Sequence, residues 1–194
     1  MVALRKVLPG RMSVAEFLVW DSGDRTGPHW QLRDGVPEAM EPTTEAHGAI
    51  QGELAALIRN HLLQIGSKCR VVIDAGVVPR VRSSNNDRIP DLAVTCSPIA
   101  GERLMRDPLL LIEILSPSNT DQTRANVWTY TTLPSVAEIL VIHSMVVNAE
   151  LLRRAADGSW PEQPDLIEEG GILRLDSIGL ELPLATVYRT ALAG

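Results

Sequence analysis

The apolar positions along the chain predict one long helix and one buried strand. Between Thr44 and Ile65 apolar side chains recur at helical spacing, and Gly66 follows at a position where glycine commonly ends a helix. Further on, residues 109–115 are apolar except at Glu113, which predicts a central strand covered on both faces. Both elements are typical of an α/β domain.

Shorter patterns predict the remaining elements. Ser13 and Glu16 have the spacing of a capping box that opens a short helix, and Asp34-Gly35 is typical of a tight hairpin turn. Further strands are predicted at 69–73, 76–81, 91–94, 138–143, 147–153 and 172–175, and further helices at about 120–132 and 184–192. We therefore expect a single α/β domain over residues 1–194, with a mixed central sheet flanked by helices and an extra N-terminal hairpin.

Composition excludes several classes of protein. The chain is 45% apolar and 22% charged, as in ordinary globular proteins. Cys69 and Cys96 lack the spacing of a zinc site or a disulfide framework, so we expect reduced thiols. No apolar run could span a bilayer, and residues 1–12 do not resemble a secretory signal. A cytoplasmic protein without a membrane partner is the expectation.

Charge is distributed unevenly along the chain. The net charge of −6 argues against indiscriminate nucleic-acid binding, but residues 59–106 carry eight basic and four acidic side chains. Arg80, Arg82 and Arg88 lie close together within this segment. Two interpretations stay open for them, a solvated face and a patch that contacts phosphates.

Glu113 and Asp91 are the candidate chemical residues. A carboxylate inside so apolar a strand is costly unless it is paired, hydrogen-bonded or bound to a metal. The alternatives are a glutamate that points out of an edge strand, or one that pairs with Arg88. Asp91 follows Pro90 and is expected at the start of a strand, where it could equally be an ordinary turn residue. Together the two carboxylates could hold Mg²⁺ or Mn²⁺.

Several motifs occur in order along the chain. They are Met12-Ser-Val-Ala-Glu-Phe-Leu18, Trp30-Gln-Leu-Arg-Asp-Gly35, Pro42-Thr-Thr-Glu-Ala-His47, Ile89-Pro-Asp-Leu-Ala-Val94, Leu111-Ile-Glu-Ile-Leu-Ser-Pro-Ser118 and Leu133-Pro-Ser-Val-Ala-Glu138, with Tyr130 before the last. Together they resemble the Uma-two family of restriction endonucleases, a branch of the PD-(D/E)XK nuclease superfamily, over about residues 12–190. The resemblance implies a restriction-endonuclease-like fold and a metal-dependent endonuclease that acts on DNA.

The same resemblance implies roles for individual residues. Asp91 and Glu113 fall on the metal-binding acids, and the backbone carbonyl of Ile114 is a plausible third ligand. His47 matches a histidine near the metal, although a core or capping histidine remains an equal alternative.

The chain departs from the family pattern at the lysine. Two residues after Glu113 stands Leu115, and the alternative position four residues before Tyr130 is Asn126. No lysine follows Lys68, and Arg124 is expected to face away from the site. Gln31 also replaces a family glutamate.

Three hypotheses follow. The first is a Mg²⁺- or Mn²⁺-dependent DNA endonuclease in which Asp91, Glu113, His47 and Asn126 form the catalytic site, weakened by loss of the lysine. The second is an inactive nuclease fold kept for binding nucleic acid or protein. The third is a homodimer whose main role is structural, which the apolar segment 178–187 would permit. A homodimer is also the oligomeric state that we expect.

Overall fold

The computed structural model describes residues 10–22, 29–40, 42–99, 101, 103–117 and 119–192. The stretch on which the expectation about a secretory signal depends lies mostly outside these residues, as does Ser118 of the fifth motif. The helices are α1 (Val14–Val19), α2 (Glu45–Gln64) and α3 (Thr120–Tyr130). The strands are β1 (Trp30–Arg33), β2 (Val36–Ala39), β3 (Arg70–Ile73), β4 (Leu92–Thr95), β5 (Pro108–Leu115), β6 (Glu138–His143), β7 (Asn148–Arg153), β8 (Asp165–Glu168), β9 (Ile172–Leu175) and β10 (Leu180–Pro183).

A six-stranded sheet in the order β3-β4-β5-β6-β7-β8 forms the centre of the described chain. β5 and β6 run parallel and are joined through α3, while the other neighbouring pairs are antiparallel. The predicted mixed sheet and the N-terminal hairpin are therefore confirmed. At the hairpin turn Asp34 and Gly35 both have positive φ, as a type I′ turn requires.

The two faces of the sheet have separate cores. On one face α2 buries Ile50, Leu54, Ile58 and Leu62, four residues at successive helical turns, against β4, β5 and the β9–β10 hairpin. On the other face α3 packs on β5 and β6 through Val127 and Tyr130. Alternation along β5 places Leu111, Glu113 and Leu115 on the α3 face. The α3 face therefore receives the one carboxylate of the central strand.

Segment 76–81 does not form the predicted strand. Gly76 and Val77 make only isolated bridges, to Leu104 and Arg88. Pro79 supplies no amide hydrogen to a ladder, so pairing stops there. The prediction of a strand was wrong because the proline outweighs the valine-rich pattern.

The predicted terminal helix at 184–192 is a short 3₁₀ helix, Leu184–Tyr188. Leu184 and Val187 are buried at a spacing of three residues, which suits a 3₁₀ helix. Ile178 and Leu180 are buried beside them. The apolar segment behind the homodimer expectation is thus used in the core of the same chain, and the homodimer stays a prediction.

The expectation of reduced thiols is wrong for this structure. The register Arg70↔Thr95 between β3 and β4 places Cys69 and Cys96 side by side, and they form a disulfide with a Cα–Cα distance of 3.9 Å. Their separation of 27 residues along the chain gave no sign of this pairing. None of the helices in the described ranges combines the length and apolarity that a bilayer crossing requires.

Candidate functional site

Asp91 directly precedes β4, and the limit of the pairing between β4 and β5 explains its position. β4 pairs with β5 only as far as Leu92↔Ile112, so beyond this point the amide of Ile114 has no ladder partner on the β4 side. The Asp91 carboxylate replaces the missing strand: its Oδ2 accepts a hydrogen bond from the Ile114 amide at 2.6 Å. A turn-forming aspartate would be solvated, whereas Asp91 is 6% exposed.

The first turns of α2 hold Asp91 from the other side. The Thr44 hydroxyl caps the helix by accepting from the His47 amide at 3.2 Å. His47 Nε2 then lies 3.1 Å from Asp91 Oδ1 and is buried with it. One turn later the Gln51 side chain donates to the Asp91 carbonyl at 2.9 Å. Of the two open interpretations of His47, the geometry favours a residue of the site.

Glu113 lies in the middle of the sheet and contacts α3. Its strand has β4 and β6 as neighbours and Glu113 is 5% exposed, so the edge-strand alternative is wrong. Glu113 Oε1 accepts from Asn126 Nδ2 at 3.1 Å and from the Tyr130 hydroxyl at 2.6 Å. Arg88 forms no ion pair with it within the described chain. Oε2 has no hydrogen bond among the described residues and is left for another partner.

Burial governs the protonation of this group. The pKa of the Glu113 carboxyl is raised to about 8, first by burial and second by the negative charge of Asp91. The hydrogen bonds from Tyr130 and Asn126 act in the opposite direction, as does the more distant charge of Arg88. Burial, followed by the charge of Glu113, also raises the pKa of the Tyr130 hydroxyl. Asp91 is therefore close enough to oppose the ionisation of Glu113.

Both carboxylates line one small cavity of about 60 Å³. A water molecule needs about 10–15 Å³ of such space, so an ion and a few waters can be accommodated. His47, Asn119 and Asn126 line the same cavity. Asn119 turns its amide onto the Ile114 carbonyl at 3.1 Å instead of capping α3. That carbonyl keeps a second lone pair, but Ile114 is not among the residues that line the cavity, so its role as a third ligand stays a prediction.

Asn126 lies against Glu113, as its position before Tyr130 predicts. Its Oδ1 is buried and has no hydrogen-bond partner in the described part of the chain. Arg124 points away, as expected, and pairs with Glu150 on β7. Gln31 is fully buried but is not among the residues that line the cavity.

Two residues that position the site were missed by the sequence analysis. Gln51 is one helical turn after His47, and that spacing could have identified it. Asn119 directly precedes α3, and no local pattern indicates its contact with the Ile114 carbonyl. Among the described residues, no group of three or more His, Cys, Asp or Glu side chains forms a metal site. Any ion here would depend on two carboxylates, a carbonyl and water.

Replacement of Glu113 by Gln should change how stability depends on pH. The folded protein keeps the Glu113 proton up to about pH 8, whereas the unfolded chain releases it near 4.5, so unfolding free energy falls as pH rises between these values. In metal-free buffer we expect Glu113→Gln to melt higher than the wild type at pH 8, by at least about 2–4 °C, and the gap to close towards pH 5.

The matched control is Glu162→Gln, an exposed residue between β7 and β8, which should follow the wild-type curve. Parallel curves of melting temperature against pH for the wild type and Glu113→Gln would show that burial does not perturb this carboxyl.

Comparison with known proteins agrees with this fold. The model of the Uma2 family, described as "Putative restriction endonuclease", matches residues 14–185. A crystal structure of a putative nuclease belonging to DUF820 from Anabaena variabilis ATCC 29413 superposes with a TM-score of 0.75 and 18% sequence identity, covering 93% of this chain and 99% of that one. No curated protein matches. The family match spans most of the chain. The protein therefore belongs to the Uma2 family, which is the same family that its motifs resemble.

Proposed function

We propose that the protein is a divalent-metal-dependent endonuclease that hydrolyses DNA phosphodiester bonds. One observation carries the proposal: two buried carboxylates from neighbouring strands line a single small cavity, and Glu113 Oε2 has no hydrogen bond among the described residues. A buried carboxylate of this kind is stabilised by a bound cation. The name of the family and that of the DUF820 protein suggest the same class of reaction.

The donor atoms suit Mg²⁺ or Mn²⁺. Both are hard cations that prefer oxygen, and Mg²⁺ is commonly bound by one or two carboxylates while it keeps several waters. Asp91, Glu113 and the Ile114 carbonyl would hold the ion. When bound, it would lower the pKa of a water molecule and offset the charge that develops on the phosphate.

The surrounding residues would keep these donors in place. His47 and the Ile114 amide each hold one oxygen of Asp91, and Gln51 holds its carbonyl. Tyr130 and Asn126 hold Oε1 of Glu113, which leaves Oε2 directed to other partners. Because Asn126 Oδ1 has no partner in the described chain, it can accept a hydrogen bond from the attacking water. Such fixed donors reduce the reorganisation that the reaction requires.

Plasmid cleavage tests the proposal. Supercoiled DNA incubated with the purified protein and Mg²⁺ or Mn²⁺ should be nicked, and Asp91→Asn or Glu113→Gln should lower the rate by at least about 100-fold. Glu162→Gln removes a carboxylate from an exposed loop and should leave the rate unchanged. Wild-type nicking that is no faster than that of Asp91→Asn would contradict the proposal.

The second candidate function is a nuclease fold that binds nucleic acid or protein without cleaving it. The favouring observation is the missing positive charge: Asn126 and Leu115 occupy the two lysine positions, and the chain has no lysine after Lys68. Loss of one group that stabilises transition-state charge costs roughly 3–4 kcal/mol, or a factor of about 10²–10³ in rate. A loss of this size is compatible with either slow cleavage or none.

Asn126→Lys separates these two functions. An ammonium group beside Glu113 would restore charge stabilisation, and we expect nicking at least about 10-fold faster than in the wild type. Asn60→Lys, which adds the same charge on the exposed face of α2, controls for general attraction to DNA. If Asn126→Lys melts like the wild type and cleaves no faster than Asn60→Lys, the binding function is favoured.

A further inference from the structure

The cavity lined by Asp91 and Glu113 is called the acidic cavity. A second cavity, called the basic cavity because arginines line it, lies on another face of α3. It measures about 380 Å³ and is bounded by the β1–β2 turn, by segment 81–88 and by α3. Ala125 and Thr129 of α3 line this basic cavity, while Asn126 lines the acidic cavity. The two cavities therefore flank α3, whose width with side chains is about 10 Å.

Three guanidinium groups line the basic cavity, those of Arg33, Arg82 and Arg88. Two of them have carboxylate partners: Arg82 pairs with Asp34 at 2.8 Å, and Arg33 with Glu38 at 3.2 Å. Arg88 has no ion-pair partner among the described residues. The cavity wall thus carries an excess of positive charge in a protein whose net charge is −6.

Arg88 is the unusual member of this group. It is 4% exposed, and its Nε and Nη1 have no hydrogen-bond partner in the part of the chain that the structure describes. Burial, and next the like charge of Arg33, lower its pKa. Removing an unpaired guanidinium from water is costly, and a bound anion would provide the charge-assisted hydrogen bonds that the protein itself does not.

The walls of the cavity are held by specific contacts. Arg82 has φ +48°, a left-handed conformation that bulky residues rarely adopt. Asn86, 1% exposed, donates to the Val81 and Arg82 carbonyls at 3.3 Å and to Asp34 Oδ1 at 3.2 Å. These bonds tie the β1–β2 turn to segment 81–88, so the arginines project from a fixed frame.

An aromatic ring completes the cavity. Trp128 of α3 lines it and is 62% exposed, although most tryptophans are largely buried. Nucleobases stack on exposed aromatic rings, and positive grooves follow the phosphates of a strand. An anion pocket beside an exposed ring is therefore suited to a nucleotide unit.

We propose that the basic cavity is a subsite for a nucleic-acid strand, in which Arg88, Arg33 and Arg82 bind a phosphodiester and Trp128 stacks on a neighbouring base. The subsite rests on the proposed function in one respect: a strand rising about 3.4 Å per nucleotide would cross α3 in about three nucleotides and reach the acidic cavity. The sequence left two interpretations open for the arginines of segment 80–88, a solvated face and a patch that contacts phosphates. The proposed subsite selects phosphate contact for Arg82 and Arg88. Arg80 is exposed and does not line the cavity.

Binding of a fluorescent single-stranded DNA oligonucleotide in metal-free buffer tests the subsite independently of cleavage. Arg88→Met keeps the length of the side chain and removes its charge. We expect its Kd to rise at least about 10-fold and the slope of log K against log salt to shrink by about 0.7. Trp128→Ala should weaken binding by about 5–100-fold without changing that slope.

Arg59→Met is the matched control, since Arg59 is exposed on α2 more than three helical turns from His47. Its Kd should stay within about 2-fold of the wild type. Arg88→Met should melt no lower than the wild type, because an unpaired buried charge has been removed. Inorganic phosphate at an equal phosphate concentration should compete poorly, which distinguishes a strand subsite from a site for free phosphate.

Three results would overturn the subsite: no binding of the oligonucleotide by the wild type, wild-type affinity and salt slope in both Arg88→Met and Trp128→Ala, or an equal loss in Arg59→Met. Binding that depends on Arg88 without any plasmid nicking would leave the subsite standing and reject the endonuclease. Wild-type nicking together with wild-type affinity and salt slope in both Arg88→Met and Trp128→Ala would do the reverse.

Discussion

The burial of Glu113 in the central strand is the constraint around which the rest of the site is arranged. Burial and, second, the negative charge of Asp91 raise the pKa of the Glu113 carboxyl to about 8. The fold offsets this cost only in part, with hydrogen bonds from Asn126 and Tyr130 to one oxygen. The start of β4, the first turn of α2 and one face of α3 all converge on the same cavity. The apolar pattern of the strand is interrupted to place an ionisable group there, which is typical of a functional site.

How much could be predicted from the sequence depends on whether a feature is local. The periodicity of α2, the apolar run of β5 and the Asp34-Gly35 turn each follow from neighbouring residues, and the structure has all three. Glu113 could be singled out because its surroundings in the chain contradict its charge. The disulfide and the contact of Asn119 with the Ile114 carbonyl could not be predicted from the sequence, since they depend on strand register and chain reversal. The prediction of a strand at 76–81 was wrong because Pro79 outweighs a valine-rich pattern.

Charge is divided between the two sides of α3. Thr123 and Asn126 line a cavity with two carboxylates, while Ala125, Trp128 and Thr129 line one with three arginines. A helix can do this because adjacent residues, such as Ala125 and Asn126, point about 100° apart around its axis. Positive charge is therefore present on the other face of α3, where, on our proposal, it would contact a nucleic-acid strand.

A crystal structure grown with Mn²⁺ and recorded at the manganese absorption edge tests the central claim most directly. We expect one anomalous peak in the acidic cavity, about 2.1 Å from oxygens of Asp91 and Glu113, and its loss in Glu113→Gln. The absence of a peak at saturating Mn²⁺, or a peak that persists unchanged in Glu113→Gln, would contradict a metal site built on this buried carboxylate.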